Sequence, residues 1–297
     1  MNTAGRKVFT PLTLLNYLLL TIFAFICVYP LYYIFINSFS APSEIIKGVY
    51  LFPRDFSIEA YKHLGEIPGI GSSVIVSVLR TVIGSFFTAI CSSFVAYLLT
   101  FENMPLRKPM YRFFILTMYV NAGFIPVYLL YTNLGLKNNF WVYILPTAVS
   151  AYFIILIKTY IESIPSALRE SAEIDGAGIL TVYFRIILPL AKPILACVIV
   201  FAAVNQWNAW ADDMFYMQGS KARDLHCLQF QLYQKLQSNM AASISSNSSA
   251  AAGAGLKITS SSLRMAMTFV TVLPILCVYP FMQRYFTKGI MLGAVKG

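Results

Sequence analysis

The chain has 297 residues, of which 58% are hydrophobic and 11% charged, and it carries a formal net charge of +10 at pH 7. A mean hydropathy of +0.68 over this length excludes an ordinary soluble domain, so the bilayer is the solvent for most of the chain. The positive charge does not indicate nucleic-acid binding, because the sequence shows no basic stripe with interleaved aromatic residues.

Six apolar runs are long enough, at about 20 residues or more, to cross a membrane as helices. Backbone groups in lipid must be satisfied within their own segment, and the runs lack the two-residue alternation of membrane barrel strands. We therefore expect an all-α membrane protein with a single transmembrane domain over residues 1–297. Its predicted spans are 12–39, 70–100, 109–131, 140–161, 187–211 and 263–283.

The positions of lysine and arginine indicate the orientation of these spans. Arg107, Lys108 and Arg112 lie at the short connection between the second and third runs, whereas the short connection on the opposite side carries Lys137. Positive residues concentrate in cytoplasmic connections. The sequence therefore predicts a multi-pass membrane protein, surrounded by lipid, with both termini in the cytoplasm.

The third run contains a break signal, the segment NAGFIP at 121–126. Gly123 and Pro126 favour a kink or an interruption of the helix. Interrupted helices often line substrate paths in transporters, which makes Asn121 and Phe124 candidates for such a path. A kink that serves packing alone explains the same residues equally well.

The segment between the fourth and fifth runs, at 162–189, is charged and patterned as helix, turn, helix. Residues 167–174 form one predicted short helix, Gly176 permits a sharp turn, and residues 182–188 resume the helix. Such an element at the cytoplasmic surface offers a soluble partner something to bind. The alternative is an ordinary connection with a polar helix.

Polar and aromatic residues cluster at the end of the fifth run. Amides pair with hydroxyl groups as donors and acceptors, and indole rings stack on the apolar face of a sugar. The alternative is an aromatic belt at the membrane surface. The candidates for a sugar path are Asn205, Gln206, Trp207, Asn208 and Trp210. Asp212 and Asp213 follow and could face the lumen of the path or solvent, and we expect solvent for both.

Two further segments lie near the C-terminus. Residues 240–262 are rich in alanine, serine and glycine, which predicts an outer loop whose role stays open. The glycine-rich, basic tail that follows the sixth run is either an extended contact segment or a frayed end.

Signatures of catalysis are absent from the sequence. It contains no GxxxxGK[ST] phosphate loop, no HExxH and no CxxC pair, so we expect no enzyme activity and no metal site. The six runs contain no Asp or Glu, which carriers driven by protons or sodium commonly need. The energy for any transport should therefore come from a partner.

A family resemblance is carried by the triplet Glu170-Ser171-Ala172, by Gly176, and by Ile186, Leu188 and Pro189 at the expected spacing. This pattern resembles the EAA loop of bacterial ABC importer permeases. Ser171 departs from the usual alanine. The residues IDGA at 174–177 look like the version found in carbohydrate importers of the maltose type.

The resemblance implies a type I ABC permease fold and the transport of a carbohydrate, expected to be an oligosaccharide. The expected partners are a second permease chain, a cytoplasmic dimer of ATP-binding subunits that holds ATP and Mg, and an extracellular solute-binding protein. This chain would bind no cofactor itself. The alternative is a stand-alone carrier or channel for a small polar solute.

The resemblance also assigns roles to residues. The residues implied to contact the ATP-binding subunit through the loop are Glu170, Ser171, Ala172, Asp175, Gly176, Leu188 and Pro189. The residues implied to reach the same subunit from the tail are Gly289, Gly293 and Lys296.

Overall fold

The computed structural model describes residues 11–219, 222, 224–245 and 260–289. Within that part of the chain the regular structure is helical, without β-strands, and one isolated bridge joins Ser40 to Phe56. This confirms the all-α fold class. The reason is that a helix satisfies its backbone hydrogen bonds within one segment, as an apolar environment requires.

The helices follow the apolar runs and add several short elements between them. In chain order they are α1 (Pro11–Ser38), α2 (Pro42–Lys47), α3 (Glu59–Glu66), α4 (Ile70–Leu98), α5 (Arg107–Tyr119), α6 (Phe124–Asn133), α7 (Ala151–Ile161), α8 (Ala167–Ile174), α9 (Ile179–Val182), α10 (Leu188–Leu190), α11 (Lys192–Asn208), α12 (Ala211–Tyr216), α13 (Leu228–Ser245) and α14 (Ser260–Gly289). Two short 3₁₀ turns precede α7, at Phe140–Tyr143 and Leu145–Thr147, and a π-helical turn joins α9 to α10 at Tyr183–Ile187.

Three helical segments are long and apolar enough to cross a membrane unaided, namely α1, α4 and the part of α14 at Ser261–Pro280. Three bent pairs meet the same length and composition test together. They are α5 with α6, the 3₁₀ turns with α7, and Ile179–Leu190 with α11, bent by 117°, 48° and 81°. The described residues therefore hold between three and six spans, and the count of six stays a prediction.

The chain divides into two compact units. The first comprises residues 1–67 and 238–271. In it α1 buries only its last residues, Ile36, Asn37 and Ser38, among the described part of the helix. The ring of Phe39 stacks on Phe56 at 5.7 Å and also contacts Tyr61. The exposed apolar length of α1 is typical of a helix that contacts lipid or another subunit.

The second unit comprises residues 68–237 and 272–297. Its core lies where α4 packs against α7 and α11, with Tyr97, Ile157 and Val198 among the fully buried side chains. Small residues along α4 allow the close approach of these helices. The buried serines of α4 are Ser73, Ser77, Ser85, Ser92 and Ser93. That the whole chain forms one domain stays a prediction.

Candidate functional site

The turn after α8 is closed by two backbone hydrogen bonds. The Gly176 N–H donates to the Glu173 carbonyl at 3.1 Å, and the Ala177 N–H donates to the Ala172 carbonyl at 2.9 Å. These two bonds form the Schellman motif, which needs a left-handed residue at the glycine position. Gly176 has φ +80°, so the structure gives a physical reason for glycine there.

The inner face of this helical segment, α8 to α10, is attached to the second unit's core. Ala172, Ala177 and Leu188 are half-buried against that core. The Tyr97 hydroxyl of α4 donates to the Ile179 carbonyl at 3.4 Å, and the rings of Tyr97 and Tyr183 stack at 5.4 Å. Movement of this segment is therefore tied to α4 through buried aromatic side chains.

The outer face of the same segment combines exposed apolar side chains with exposed acids. Ile174 is 86% exposed, and Leu168, Ile179 and Leu180 are also exposed. Glu170, Ser171 and Asp175 lie exposed beside them. We call these seven residues the loop surface. Exposed apolar side chains with polar neighbours are typical of a protein–protein contact.

The helix break predicted in the third run lies between α5 and α6. The chain is non-helical at 120–123, and Gly123 there has φ +85°. The side-chain Oδ1 of Asn121 accepts the Gly123 N–H at 2.9 Å, and the Phe124 ring contacts Phe215 at 4.3 Å. Both side chains lie at the break and are partly exposed, as residues of a path would be. Each also makes a contact within the protein, which a packing role explains equally well.

The five residues predicted at the end of the fifth run do not form one surface. Asn205 and Gln206 line a polar cavity, whereas Trp207 is buried and lines an apolar groove beside Pro274. Trp210 stacks on Tyr233 of α13 at 4.2 Å. Asn208 is the last residue of α11 and is exposed. The helical turn separates these side chains although they are neighbours in sequence.

A deeply buried cation of the second unit is Arg80, which the sequence analysis did not single out. Its side chain is 1% exposed. Its Nε and Nη2 groups both donate to Gln206 Oε1 at 3.2 Å, and Nη1 donates to the Ala209 carbonyl at 3.1 Å. Its guanidinium also lies 4.2 Å from the ring centre of Tyr143. An arginine within an apolar run is itself a signal of function.

Gly84 lies one helical turn after Arg80 and was also missed. A Cβ atom at this position would come within 2.7 Å of the Gln206 amide nitrogen. The Gln206 amide is held in place, because it donates to the Tyr143 carbonyl at 3.0 Å and to Thr147 Oγ1 at 2.7 Å. Gly84 therefore makes room for the side chain that contacts Arg80.

Asp213 is wholly buried, so the expectation that it faces solvent is wrong. Its carboxylate lies 2.6 Å from His226 Nδ1 and accepts the backbone N–H of Cys227. Burial raises the pKa of the Cys227 thiol to about 12, and the adjacent Asp213 charge adds to that rise. Asp212 differs, because its side chain is 41% exposed and pairs with Arg80 at 3.2 Å.

Similar proteins place the chain in a family. The polygalacturonan/rhamnogalacturonan transport system permease protein of Bacillus subtilis (strain 168) is 36% identical over 285 residues, or 96% of this chain and 98% of that protein. A chain in the crystal structure of a bacterial ABC transporter involved in the import of the acidic polysaccharide alginate is 28% identical, with a TM-score of 0.80, over 92% of this chain and 95% of that one. The chain belongs to the permease subunits of carbohydrate ABC importers.

Another relative supports the same family. The melibiose/raffinose/stachyose import permease protein of B. subtilis (strain 168) is 28% identical over 273 residues, or 90% of this permease and 91% of that protein. No protein-family model matches the sequence. The resemblance first seen at Glu170–Pro189 is confirmed, and a stand-alone carrier or channel is set aside.

Membership in this family has consequences for the permease. It is a multi-pass membrane protein that is not itself catalytic, and its family works with ATP-binding and solute-binding partners. Among the tail residues implied to contact a partner, Gly289 ends α14. Gly293 and Lys296 lie outside the described residues.

Proposed function

We propose that this permease imports an oligosaccharide and that a separate cytoplasmic dimer of ATP-binding subunits, with ATP and Mg, supplies the energy. An extracellular solute-binding protein delivers the sugar, and a second, different permease chain completes the pathway. The permease lies in a bacterial plasma membrane with both termini in the cytoplasm. The observation that carries the proposal is that the segment α8 to α10 is exposed on one face and packs against the core of the second unit with the other.

The loop surface is the contact with the ATP-binding subunit in this proposal. Its apolar residues supply buried area, and Glu170 and Asp175 supply charges that select the partner. Ala172, Gly176 and Leu188 fix the shape of the segment from within, and Pro189 follows Leu188 in α10. The tail residues Gly289, Gly293 and Lys296 add a second contact with the same subunit.

Movement reaches the membrane through α4. The hydroxyl groups of Ser93 and Tyr183 lie 2.6 Å apart, which joins α4 to the π-helical turn. Arg80 lies on the same helix, about 20 Å away at 1.5 Å per residue. A rigid helix that is held at both ends passes a displacement from the loop surface to the polar cavity.

The sugar path runs past the polar cavity, the break between α5 and α6, and the interruption between the 3₁₀ turns and α7. The cavity measures about 390 Å³, within the range of about 300–1,000 Å³ that is typical of small-molecule sites. Relatives of this permease are named for oligosaccharide and polysaccharide import, which favours the same substrate class here. The candidates for contact along the path are Asn121, Phe124, Asn205, Gln206, Trp207, Asn208 and Trp210.

Gly176→Val should lower ATP-driven uptake by about tenfold, because a side chain in the left-handed region costs about 1–2 kcal/mol. β-branched residues tolerate that region least. The measurement is oligosaccharide uptake by membranes that contain equal amounts of each permease variant.

Gly178→Val is the matched control for this variant. Gly178 lies in the same turn with φ −70°, and a Cβ atom at either glycine meets nothing within 4 Å. The control should keep its uptake. Equal uptake by the two variants would argue against a role for the turn in coupling.

A further inference from the structure

The polar cavity contains a positive charge, that of Arg80, which has no counterpart on a neutral sugar. The cavity lies among α4, the 3₁₀ turns before α7, and the end of α11, where interrupted helices meet. Transporters place substrate groups at such interruptions. Arg80 and Asp212 both line the cavity.

The guanidinium of Arg80 is held in position without help from Asp212. Gln206 accepts two of its N–H groups, the Ala209 carbonyl accepts another, and the Tyr143 ring covers one face. These partners are neutral, so they orient the cation without neutralising it. A buried cation requires an anion close by.

Asp212 supplies that anion through a single contact. One carboxylate oxygen lies 3.2 Å from Nη2, although arginine can bind a carboxylate through two parallel hydrogen bonds. The two partners differ strongly in burial, since the side chain of Arg80 is 1% exposed and that of Asp212 is 41% exposed. Asp212 can therefore turn towards water when another anion takes its place, while Arg80 stays fixed.

We propose that the cavity binds a carboxylate group of the transported sugar, which replaces Asp212 on Arg80. The proposal rests on the proposed function and names its substrate class as an acidic oligosaccharide, one that contains uronate residues. The exchange of one carboxylate for another leaves the charge balance of the site unchanged. Asn205 and Ser150 also line the cavity and suit sugar hydroxyls, and Phe153 suits the apolar face of a ring.

The test compares two probes that differ only in charge. They are trigalacturonate and its fully methyl-esterified form, in which each carboxylate is a neutral ester. The complete importer, with its binding protein, is reconstituted in vesicles, and ATP-dependent uptake of each probe is measured. The readout is the ratio of acid uptake to ester uptake, in which the preference of the shared binding protein cancels between permease variants.

The double variant Arg80→Gln/Asp212→Asn removes both charges and keeps amide groups that can hydrogen-bond. Its acid-to-ester ratio should fall by about tenfold, the loss expected for a charge-assisted hydrogen bond to a carboxylate. Asp212→Asn alone should raise the ratio, because it removes the competing carboxylate. Arg54→Gln is the control, since Arg54 is exposed and lies outside the cavity, and its ratio should equal that of the wild type.

Several results would overturn the proposal. They are a wild-type ratio near one, no ATP-dependent uptake of the acid, an unchanged ratio in the double variant, and a lower ratio for Asp212→Asn. If the double variant does not assemble, the Asp212→Asn ratio decides alone. Failure of the proposed function is a different result, namely uptake of both probes that does not depend on ATP.

Discussion

Replacing Ile174 with aspartate should abolish the association of the permease with its ATP-binding partner. Ile174 is 86% exposed at the end of α8, so the described part of the chain does not cover this apolar side chain. In the proposed contact the isoleucine is buried by the partner, and a charge in its place would be desolvated without a counter-ion. Central residues of such contacts contribute about 2 kcal/mol or more, so retention of the partner should fall by well over tenfold.

The measurement is the amount of ATP-binding subunit that copurifies with the permease in detergent. The control is Asn103→Asp, which adds the same charge at an exposed residue of the connection between α4 and α5. The control should retain the partner fully. A stable complex with normal ATP-driven uptake in the Ile174→Asp variant would show that the loop surface is not the contact.

Replacing Asp213 with alanine should destabilise the second unit by about 3 kcal/mol, because the buried carboxylate accepts hydrogen bonds that no other group can replace. Asp213 joins α12 to the backbone at Cys227, just before α13 begins. Its loss leaves the Cys227 N–H without an acceptor and His226 without its carboxylate partner. The measurement is the apparent melting temperature of the purified permease.

Asp224→Ala is the matched control for the Asp213→Ala variant, since Asp224 is an exposed acid in the connection between α12 and α13. Exposed substitutions of this kind change stability by about 0.5 kcal/mol or less. If both variants melt at the wild-type temperature, the Asp213 contacts contribute little and their burial has another explanation.

The long helices and α8 were predictable from sequence because their signals are local. Hydropathy alone marks α1 and α4. The helix α8 ends two residues before Gly176, whose need for a positive φ is a local property. The same locality predicted the break at Gly123, where the structure bends the chain by 117° rather than kinking it slightly. The size of that bend depends on packing, which no local signal contains.

The polar network was not predictable, because its partners lie far apart in sequence. Arg80 meets Gln206 across 126 positions and Asp212 across 132. Asp212 and Asp213 are adjacent, yet neighbouring residues of a helix point about 100° apart, so one reaches solvent and the other a buried backbone group. Asp213 is buried because its carboxylate accepts the backbone N–H of Cys227, and only the fold brings these two residues together.

The most direct test of the account is ATP-dependent transport by the complex that copurifies with this permease. The complex is reconstituted into vesicles with the solute-binding protein on the outer face, and uptake of an oligosaccharide is followed with ATP or with a non-hydrolysable analogue on the cytoplasmic face. The account predicts accumulation with ATP, none with the analogue, and none by the purified permease alone. Accumulation by the permease alone, without nucleotide, would contradict it.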